Sequence, residues 1–170
     1  ATAELELVSL LAREHRLKNA LAAYISTSNV KPDYVFIDCP PSLGLLTVNA
    51  FTAATEVLIP IQCEYYALEG LSQLKRSIDM IRGALNPNLA LSTILLTMYD
   101  SRTKLNQAVV DDVRNHFPNQ TLQTLIPRQI GVAEAPSYGQ TVINYDRSSN
   151  GAISYMEAAI EIAQKGVKHG

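Results

Sequence analysis

The sequence has little cysteine and no long apolar run. Cys39 and Cys63 are the two cysteines among 170 residues. They form no CxxC pair and have no histidine nearby, so they do not make a structural zinc site. Both follow apolar runs, which favours buried free thiols in a reducing cytoplasm. No apolar run reaches the roughly 20 residues that span a bilayer. The acidic segment 1–7 lacks the basic start of a signal peptide, so none is expected.

Net charge is also small. Fourteen lysines and arginines stand against 16 acidic residues, which gives a formal charge of −2. Without a global basic field, any binding to nucleic acid needs a local basic patch. A length of 170 residues with 47% hydrophobic composition suits one globular domain. No linker or repeat divides the chain, so a single domain over residues 1–170 is predicted.

Short apolar runs alternate with helical patterns along the chain. The runs predict four buried strands and a short fifth one, at residues 34–37, 57–61, 91–98, 121–126 and 141–143. Helical spacing predicts helices in the later part of 4–25 and at 43–54, 68–85, 105–117 and 151–165. This alternation is typical of βαβ crossovers, so the predicted fold class is α/β, a parallel β-sheet flanked by helices. Ligands of such sheets bind at the carboxyl ends of the strands.

An acidic residue ends the first predicted strand. Asp38 follows the run 34–37 and precedes Cys39, Pro40 and Pro41. At this edge of a P-loop enzyme, a Walker B carboxylate orders Mg²⁺, usually through a water molecule. The alternative is that Asp38 caps the turn or helix that follows, because many strands end in aspartate. The two prolines strengthen the first interpretation, since they fix a rigid exit from the strand.

Three further strand ends carry polar and aromatic residues. The segment 61–70 contains adjacent Tyr65 and Tyr66, which indicate a partner surface if both rings are exposed. Composition alone favours the alternative, with one ring packed inside and the other on the surface. The segments 95–104 and 125–139 could together enclose a flat ring such as a purine, because Met and Pro offer apolar faces and Arg stacks on a base. The alternative is two ordinary surface loops.

Four blocks, in this order, resemble the ParA/Soj family of partitioning ATPases, which are related to MinD. They are DYVFIDCPPSLGLLTVNAFTAATEVLIPIQCEYYALEG (33–70), LLTMYDSRT (95–103), IPRQIGVAEAPSYG (126–139) and YDRSSNGAISYMEAA (145–159). A Walker B aspartate alone is a weak signal, whereas four ordered blocks covering nearly the whole chain are specific.

The resemblance implies a Rossmann-like, three-layer αβα P-loop NTPase fold in a cytoplasmic, nucleoid-associated protein. It also implies a segregation cycle for chromosome or plasmid DNA. Proteins of this family bind Mg-ATP, form a homodimer in the ATP state and coat DNA without sequence preference. A ParB-like centromere-binding partner stimulates ATP hydrolysis and releases the protein from DNA. No membrane is involved.

Site residues are implied by position in the family pattern. Asp38 would be the Walker B acid that holds Mg²⁺ through water, and Pro40, Pro41 and Gly44 would belong to the switch segment that senses the γ-phosphate. The residues implied near the adenine are Thr97, Met98, Pro127 and Arg128. The residues implied in a DNA-facing basic patch are Arg102 and Lys104.

The sequence departs from the family pattern in two ways. It contains no KGGxGKT-type Walker A loop and lacks the aspartate that positions the attacking water. Both lie upstream of Ala1 in the pattern, so we expect the C-terminal two-thirds of an ATPase domain that is N-terminally incomplete. Mg-ATP is not expected to bind well to this chain alone, since that loop supplies most of the phosphate cradle. Gly131 also stands where relatives commonly carry a basic residue that contacts DNA.

Alternatives remain open at this point. Without a Walker A loop, the chain could act only as a module that binds a partner. A MinD-like positioning ATPase is a further alternative, but such proteins usually end in a basic amphipathic membrane helix, which the segment 163–170 does not resemble. A nitrogenase-type iron protein is less consistent with the sequence, since Cys39 and Cys63 are not placed to hold a cluster.

Overall fold

The computed structural model describes residues 7–8, 10–40 and 42–167, with only the backbone of Val167. The strands are β1 (Glu56–Gln62) and β2 (Ala90–Thr97). The α-helices are α1 (Arg16–Thr27), α2 (Leu45–Ala53), α3 (Ala67–Ala84), α4 (Lys104–His116), α5 (Ile130–Glu134), α6 (Val142–Tyr145) and α7 (Asn150–Val167). Two 3₁₀ turns span Arg13–His15 and Ala135–Tyr138. No helix in the described part is both long enough and apolar enough to cross a membrane.

The chain divides into two compact units. The first comprises Ala1–Val57 and Lys75–Leu91, and the second comprises Leu58–Leu74 and Ser92–Gly170. The prediction of a single domain over residues 1–170 remains a prediction.

The strands β1 and β2 pair in parallel, as the apolar runs predicted. In β1 the odd-numbered side chains Val57 and Ile59 are buried and alternate with exposed positions. Pro60 takes one of the exposed positions, which suits a residue with no N–H to donate to a neighbouring strand. In β2, Ile94 and Leu96 are fully buried. The predicted helices that follow these strands are confirmed at α3 and α4, and Val109, Val110 and Val113 of α4 are buried.

The predicted fourth strand pairs with β2 only at its ends. Isolated parallel bridges join Ile94 to Thr121 and Tyr99 to Pro127. Leu122 N donates to Ile94 O and Ile126 N donates to Leu96 O, each at 2.9 Å. An advance of four residues along this segment therefore matches an advance of two residues along β2, which makes a bulge. The N–H groups of the bulged residues Gln123 and Thr124 donate instead to the Glu161 carboxylate, at 2.8 and 3.1 Å. A carboxylate from α7 therefore replaces the regular strand pairing at this point.

Two of the predicted strands are wrong. Residues 34–38 have no regular structure, and no backbone hydrogen bond joins them to another described residue. A strand needs such a partner, and without one Tyr34 and Phe36 remain 59% and 80% exposed, with their rings stacked 6.2 Å apart. Residues 141–143 begin a helix instead, because the Thr141 hydroxyl accepts from Asn144 N and caps α6.

Buried asparagines organise the first unit around α2. Asn49 Nδ2 donates to Arg13 O at 2.8 Å, and its Oδ1 accepts from Leu17 N at 3.1 Å. Asn86 Nδ2 donates to Phe51 O and Ala54 O at the carboxyl end of α2. These amides satisfy backbone groups that would otherwise be orphaned at helix ends.

In the second unit, α7 packs on the residues beside β2. Leu95, Leu122, Ile126 and Ala158 form one buried cluster, with Tyr155 and Ile162 against it. A second cluster consists of Ala135, Val142 and Ala152. The helix predicted at 151–165 is therefore confirmed, and its apolar face covers the core of the second unit.

Candidate functional site

The carboxyl ends of β1 and β2 lie side by side in the second unit. Cys63 N donates to Thr97 O at 3.0 Å, and Thr97 Oγ1 donates to Ile61 O at 3.2 Å. The hydroxyl of Thr97 is thus used to hold the two strand ends together. Ligands of parallel sheets bind at this edge, which makes it the candidate site of the second unit.

A buried asparagine joins the two loops that leave these strands. Asn106, in the first turn of α4, is 9% exposed. Its Nδ2 donates to Cys63 O, and its Oδ1 accepts from Asp100 N, both at 2.6 Å. No sequence pattern singled out this residue. The available signal was an asparagine close behind a strand end, where its amide can bond backbone groups that secondary structure leaves free.

Met98 turns the chain at the end of β2 through a left-handed conformation, with φ 56°. A residue with a Cβ pays about 1–2 kcal/mol for that conformation. The turn lets Tyr99 N donate to Ile126 O at 3.0 Å and Arg128 N donate to Tyr99 O at 2.8 Å. The backbones of residues 97–99 and 126–128 are consequently neighbours. The four residues predicted to lie near an adenine are therefore in the same region of the second unit. Their contact with a nucleotide stays a prediction.

An open depression of about 650 Å³ lies next to this edge. Its lining includes Glu64, Tyr65, Tyr66, Asn106 and Arg128. Arg128 Nη2 and Glu64 Oε1 are 3.3 Å apart, but both side chains are more than half exposed, so the pair adds little stability. Tyr65 and Tyr66 are 75% and 72% exposed, with their rings edge to face at 5.1 Å. Both rings are therefore on the surface, whereas composition had favoured one packed inside.

The two cysteines differ in environment. Cys63 is fully buried, and this burial raises the pKa of its thiol to about 11. Cys39 is half-buried, and its pKa is raised by burial and then by the charge of Asp38. Both are free thiols. The prediction of a buried thiol holds for Cys63 but only partly for Cys39.

The loop after Met98 contains a close ion pair. Arg102 Nε and Nη2 donate to the two carboxylate oxygens of Asp100 at 2.9 and 2.7 Å. These hydrogen bonds lower the pKa of Asp100 to about 2. Arg102, predicted in a DNA-facing patch, is thus paired, yet its side chain is 86% exposed. Lys104, the other residue of that patch, is the exposed first residue of α4.

The remaining predicted site residues belong to the first unit. Asp38 is exposed and lies in a segment without regular structure. Pro40 is exposed, and Pro41 lies outside the described residues. Gly44 precedes α2 as its N-cap, and just inside that helix Thr47 Oγ1 donates to Ser42 O at 2.6 Å. No group of three or more His, Cys, Asp and Glu side chains that could hold a metal occurs in the described part of the chain. A Mg²⁺ role for Asp38 stays a prediction.

Comparison with known proteins first gives a domain family and close relatives. A family profile described as an AAA domain matches residues 1–91. The chain is 49% identical to the sporulation initiation inhibitor protein Soj of Bacillus subtilis, over 98% of this chain and 64% of that protein. It is 48% identical to the chromosome partitioning protein ParA of Myxococcus xanthus, over 96% of this chain and 56% of that protein. The chain thus spans less than two thirds of the length of these curated relatives.

Solved structures agree on the fold. Cobyrinic acid a,c-diamide synthase from Mycobacterium smegmatis, with bound ADP and magnesium, matches with a TM-score of 0.77 and 36% identity, over 99% of this chain and 60% of that one. The cell division ATPase MinD of Pyrococcus furiosus matches with a TM-score of 0.69 and 22% identity, over 89% and 58%. The second match concerns the fold alone. The predicted α/β fold, helices flanking a parallel sheet as in P-loop NTPases, is confirmed. By sequence, the chain belongs to the ParA/Soj family of partitioning ATPases.

Proposed function

We propose that this chain is part of an ATPase that partitions chromosome or plasmid DNA. The observation that carries the proposal is the 49% identity to a Soj protein over nearly all of the chain. In the proposed cycle, the protein binds Mg-ATP, forms a homodimer, coats nucleoid DNA without sequence preference and is released when a ParB-like partner stimulates hydrolysis. The protein would act in the cytoplasm.

The proposed nucleotide roles fall on two parts of the chain. Asp38 would act as the Walker B acid. Its exposed carboxylate has no hydrogen-bond or ion-pair partner among the described residues, which suits a Mg²⁺ ion that keeps several of its own waters. When bound, Mg²⁺ would neutralise charge on two phosphates. In the second unit, Met98 and Pro127 offer apolar faces beside Arg128, which suits a purine ring.

The proposed binding of the phosphates is tested by calorimetry of Mg-ATP with this chain. We expect no measurable binding, because a single water-mediated carboxylate cannot replace a cradle of loop amides and lysines. Clear binding that Asp38→Ala abolishes, and that Asp33→Ala on the same segment leaves intact, would contradict this expectation. The triphosphate would then be held by residues of this chain that the proposal does not include.

The DNA part is tested by charge reversal at Arg102. We expect Arg102→Glu to bind a labelled duplex of arbitrary sequence about ten-fold more weakly at low salt. We also expect the salt dependence of log K to flatten by about one unit, because one phosphate contact is lost. Fluorescence anisotropy at several salt concentrations measures both. Arg82→Glu is the matched control, since Arg82 is also paired with an aspartate, Asp79. Equal affinity and slope for wild type and Arg102→Glu would reject the patch.

A further inference from the structure

Three hydrogen bonds hold Asp100 and Arg102 together. The Asp100 carboxylate accepts from Arg102 Nε at 2.9 Å, from Arg102 Nη2 at 2.7 Å and from the Arg102 backbone N–H at 3.0 Å. The guanidinium is therefore held both in direction and in rotation about its stem. Charge-assisted bonds of this forked kind are among the strongest and most directional in proteins.

Asp100 is itself anchored to the fold. Its backbone N–H donates to the buried Asn106 Oδ1 at 2.6 Å, and its carbonyl accepts from Thr103 N and Thr103 Oγ1, each at 3.1 Å. The Asp100 side chain is only 19% exposed, whereas that of Arg102 is 86% exposed. The Asp100 carboxylate is thus largely covered and attached to an anchored backbone, whereas the Arg102 guanidinium that it binds projects into solvent.

The geometry leaves one edge of the guanidinium free. Arginine has five N–H donors, and Asp100 takes the one on Nε and one of the two on Nη2. The donors that remain, on Nη1 and Nη2, form the forked edge that matches two phosphate oxygens. Lys104 follows two residues later along the chain, and the charge of Arg128 also acts on Asp100.

We propose that Asp100 is a positioning residue for DNA, which holds the Arg102 guanidinium so that its outer edge meets a backbone phosphate. This inference rests on the proposed binding of DNA at Arg102. It opposes a purely Coulombic account, in which Asp100 only cancels the charge of Arg102 and repels phosphate. In the positioning account, the rotamer freedom of Arg102 is removed before DNA arrives. The loop that carries Arg102 does not have to be buried for this loss of rotamer freedom.

The two accounts predict opposite changes in DNA affinity for the variant Asp100→Asn. This variant keeps an oxygen for the Arg102 backbone N–H, so the turn is retained, while the ionic fork is lost. We expect DNA affinity about three- to ten-fold weaker than wild type, because the side chain must now be ordered on binding. The Coulombic account expects tighter binding. Asp112→Asn on α4 is the matched control, since it removes the same charge without touching Arg102, and it should bind unchanged or slightly tighter.

A double-mutant cycle and a signal from the free protein separate the inference from the proposed function. In an Arg102→Ala background, Asp100→Asn should no longer weaken binding. In the free wild-type chain, the Arg102 Nε–H proton should exchange slowly with water in NMR spectra, and Asp100→Asn should remove this protection. The pKa of Asp100, lowered to about 2 by Arg102, keeps the carboxylate ionised throughout the assay range.

Each outcome decides one point. Weaker binding by Arg102→Ala together with tighter binding by Asp100→Asn overturns the positioning role and leaves the DNA patch standing. An Arg102 proton that exchanges equally fast in wild type and Asp100→Asn also overturns it. If Arg102→Ala binds DNA as wild type does, the proposed patch fails and its positioning residue is rejected with it.

Discussion

Asn106→Asp is expected to lower the free energy of unfolding of the chain by about 3 kcal/mol at pH 8, since it places a buried carboxylate against a carbonyl. The substitution changes the shape of the side chain very little. It replaces the Nδ2 donor, now 2.6 Å from Cys63 O, by an oxygen that can only repel that carbonyl. The bond from Asp100 N to Oδ1 is retained, so the penalty comes from the facing Cys63 carbonyl and from burial of the new charge.

The pH dependence gives this prediction its signature. Burial and the facing carbonyl would raise the pKa of the new carboxyl in the folded state above its unfolded value near 4. As pH falls through that raised pKa, the carboxyl gains a proton, and its O–H can donate to Cys63 O. The penalty should therefore shrink between pH 8 and pH 5. Urea unfolding followed by circular dichroism at both pH values measures it.

The control for Asn106 lies on the same helix. Asn115 is exposed in the last turn of α4, so Asn115→Asp should cost at most about 1 kcal/mol, from the unfavourable charge at a helix carboxyl end. If Asn106→Asp were no more destabilising than Asn115→Asp, or equally destabilising at pH 5 and pH 8, the junction between the two strand-end loops would not depend on this amide.

Gly151→Ala should destabilise the chain by about 1–3 kcal/mol, although alanine is the better helix former. A Cβ at Gly151 would lie 2.6 Å from Val132 Cγ2 and 2.7 Å from Gln129 Oε1. Gln129 can move away, but it then loses the hydrogen bond that it accepts from Gly151 N. Val132 is branched at Cβ and has few other rotamers inside α5.

Gly131→Ala is the matched control for this prediction. Gly131 also lies in a helix of the second unit, and no atom lies within 4 Å of a Cβ built there. Alanine should therefore stabilise the chain by about 0.5–1 kcal/mol, through its helix propensity and the smaller entropy of the unfolded chain. Thermal unfolding of both variants gives the comparison. A stabilising Gly151→Ala would show that the close packing at the start of α7 does not constrain this position.

Sequence patterns predicted the elements that bury their own apolar faces. The alternation at Val57 and Ile59 and the helical spacing of Val109 and Val113 were sufficient to find β1 and α4, because each pattern reports burial directly. Residues 34–38 carry an equally good apolar run, yet they form no strand. An apolar run indicates only that a segment tends to be buried. A strand also needs a neighbouring segment whose backbone N–H and C=O groups can pair with its own.

The candidate site was predictable only in part. The strand-end rule placed the segments 95–104 and 125–139 in one region, since that rule depends on topology alone, and the family resemblance implied Thr97, Met98, Pro127 and Arg128 within them. It could not find Asn106, Glu161 or the Asp100 anchor of Arg102. Those roles depend on which backbone N–H groups the bulge at 123–124 and the turn at Met98 leave free, and these local irregularities have no period in the sequence.

The bond between Gln129 and Gly151 also bears on how this chain can vary. It joins residues 22 apart, so the segment 130–150 begins and ends at one place within the second unit. The segment has its own contacts, including Ala135 against Val142 and the stacked rings of Tyr138 and Tyr145. The segment also packs on Ala152 and Tyr155 of α7, so a related chain with a different segment here has to keep a surface that fits these two residues. Gln129 and Gly151 join the two ends of the segment and constrain the same exchange.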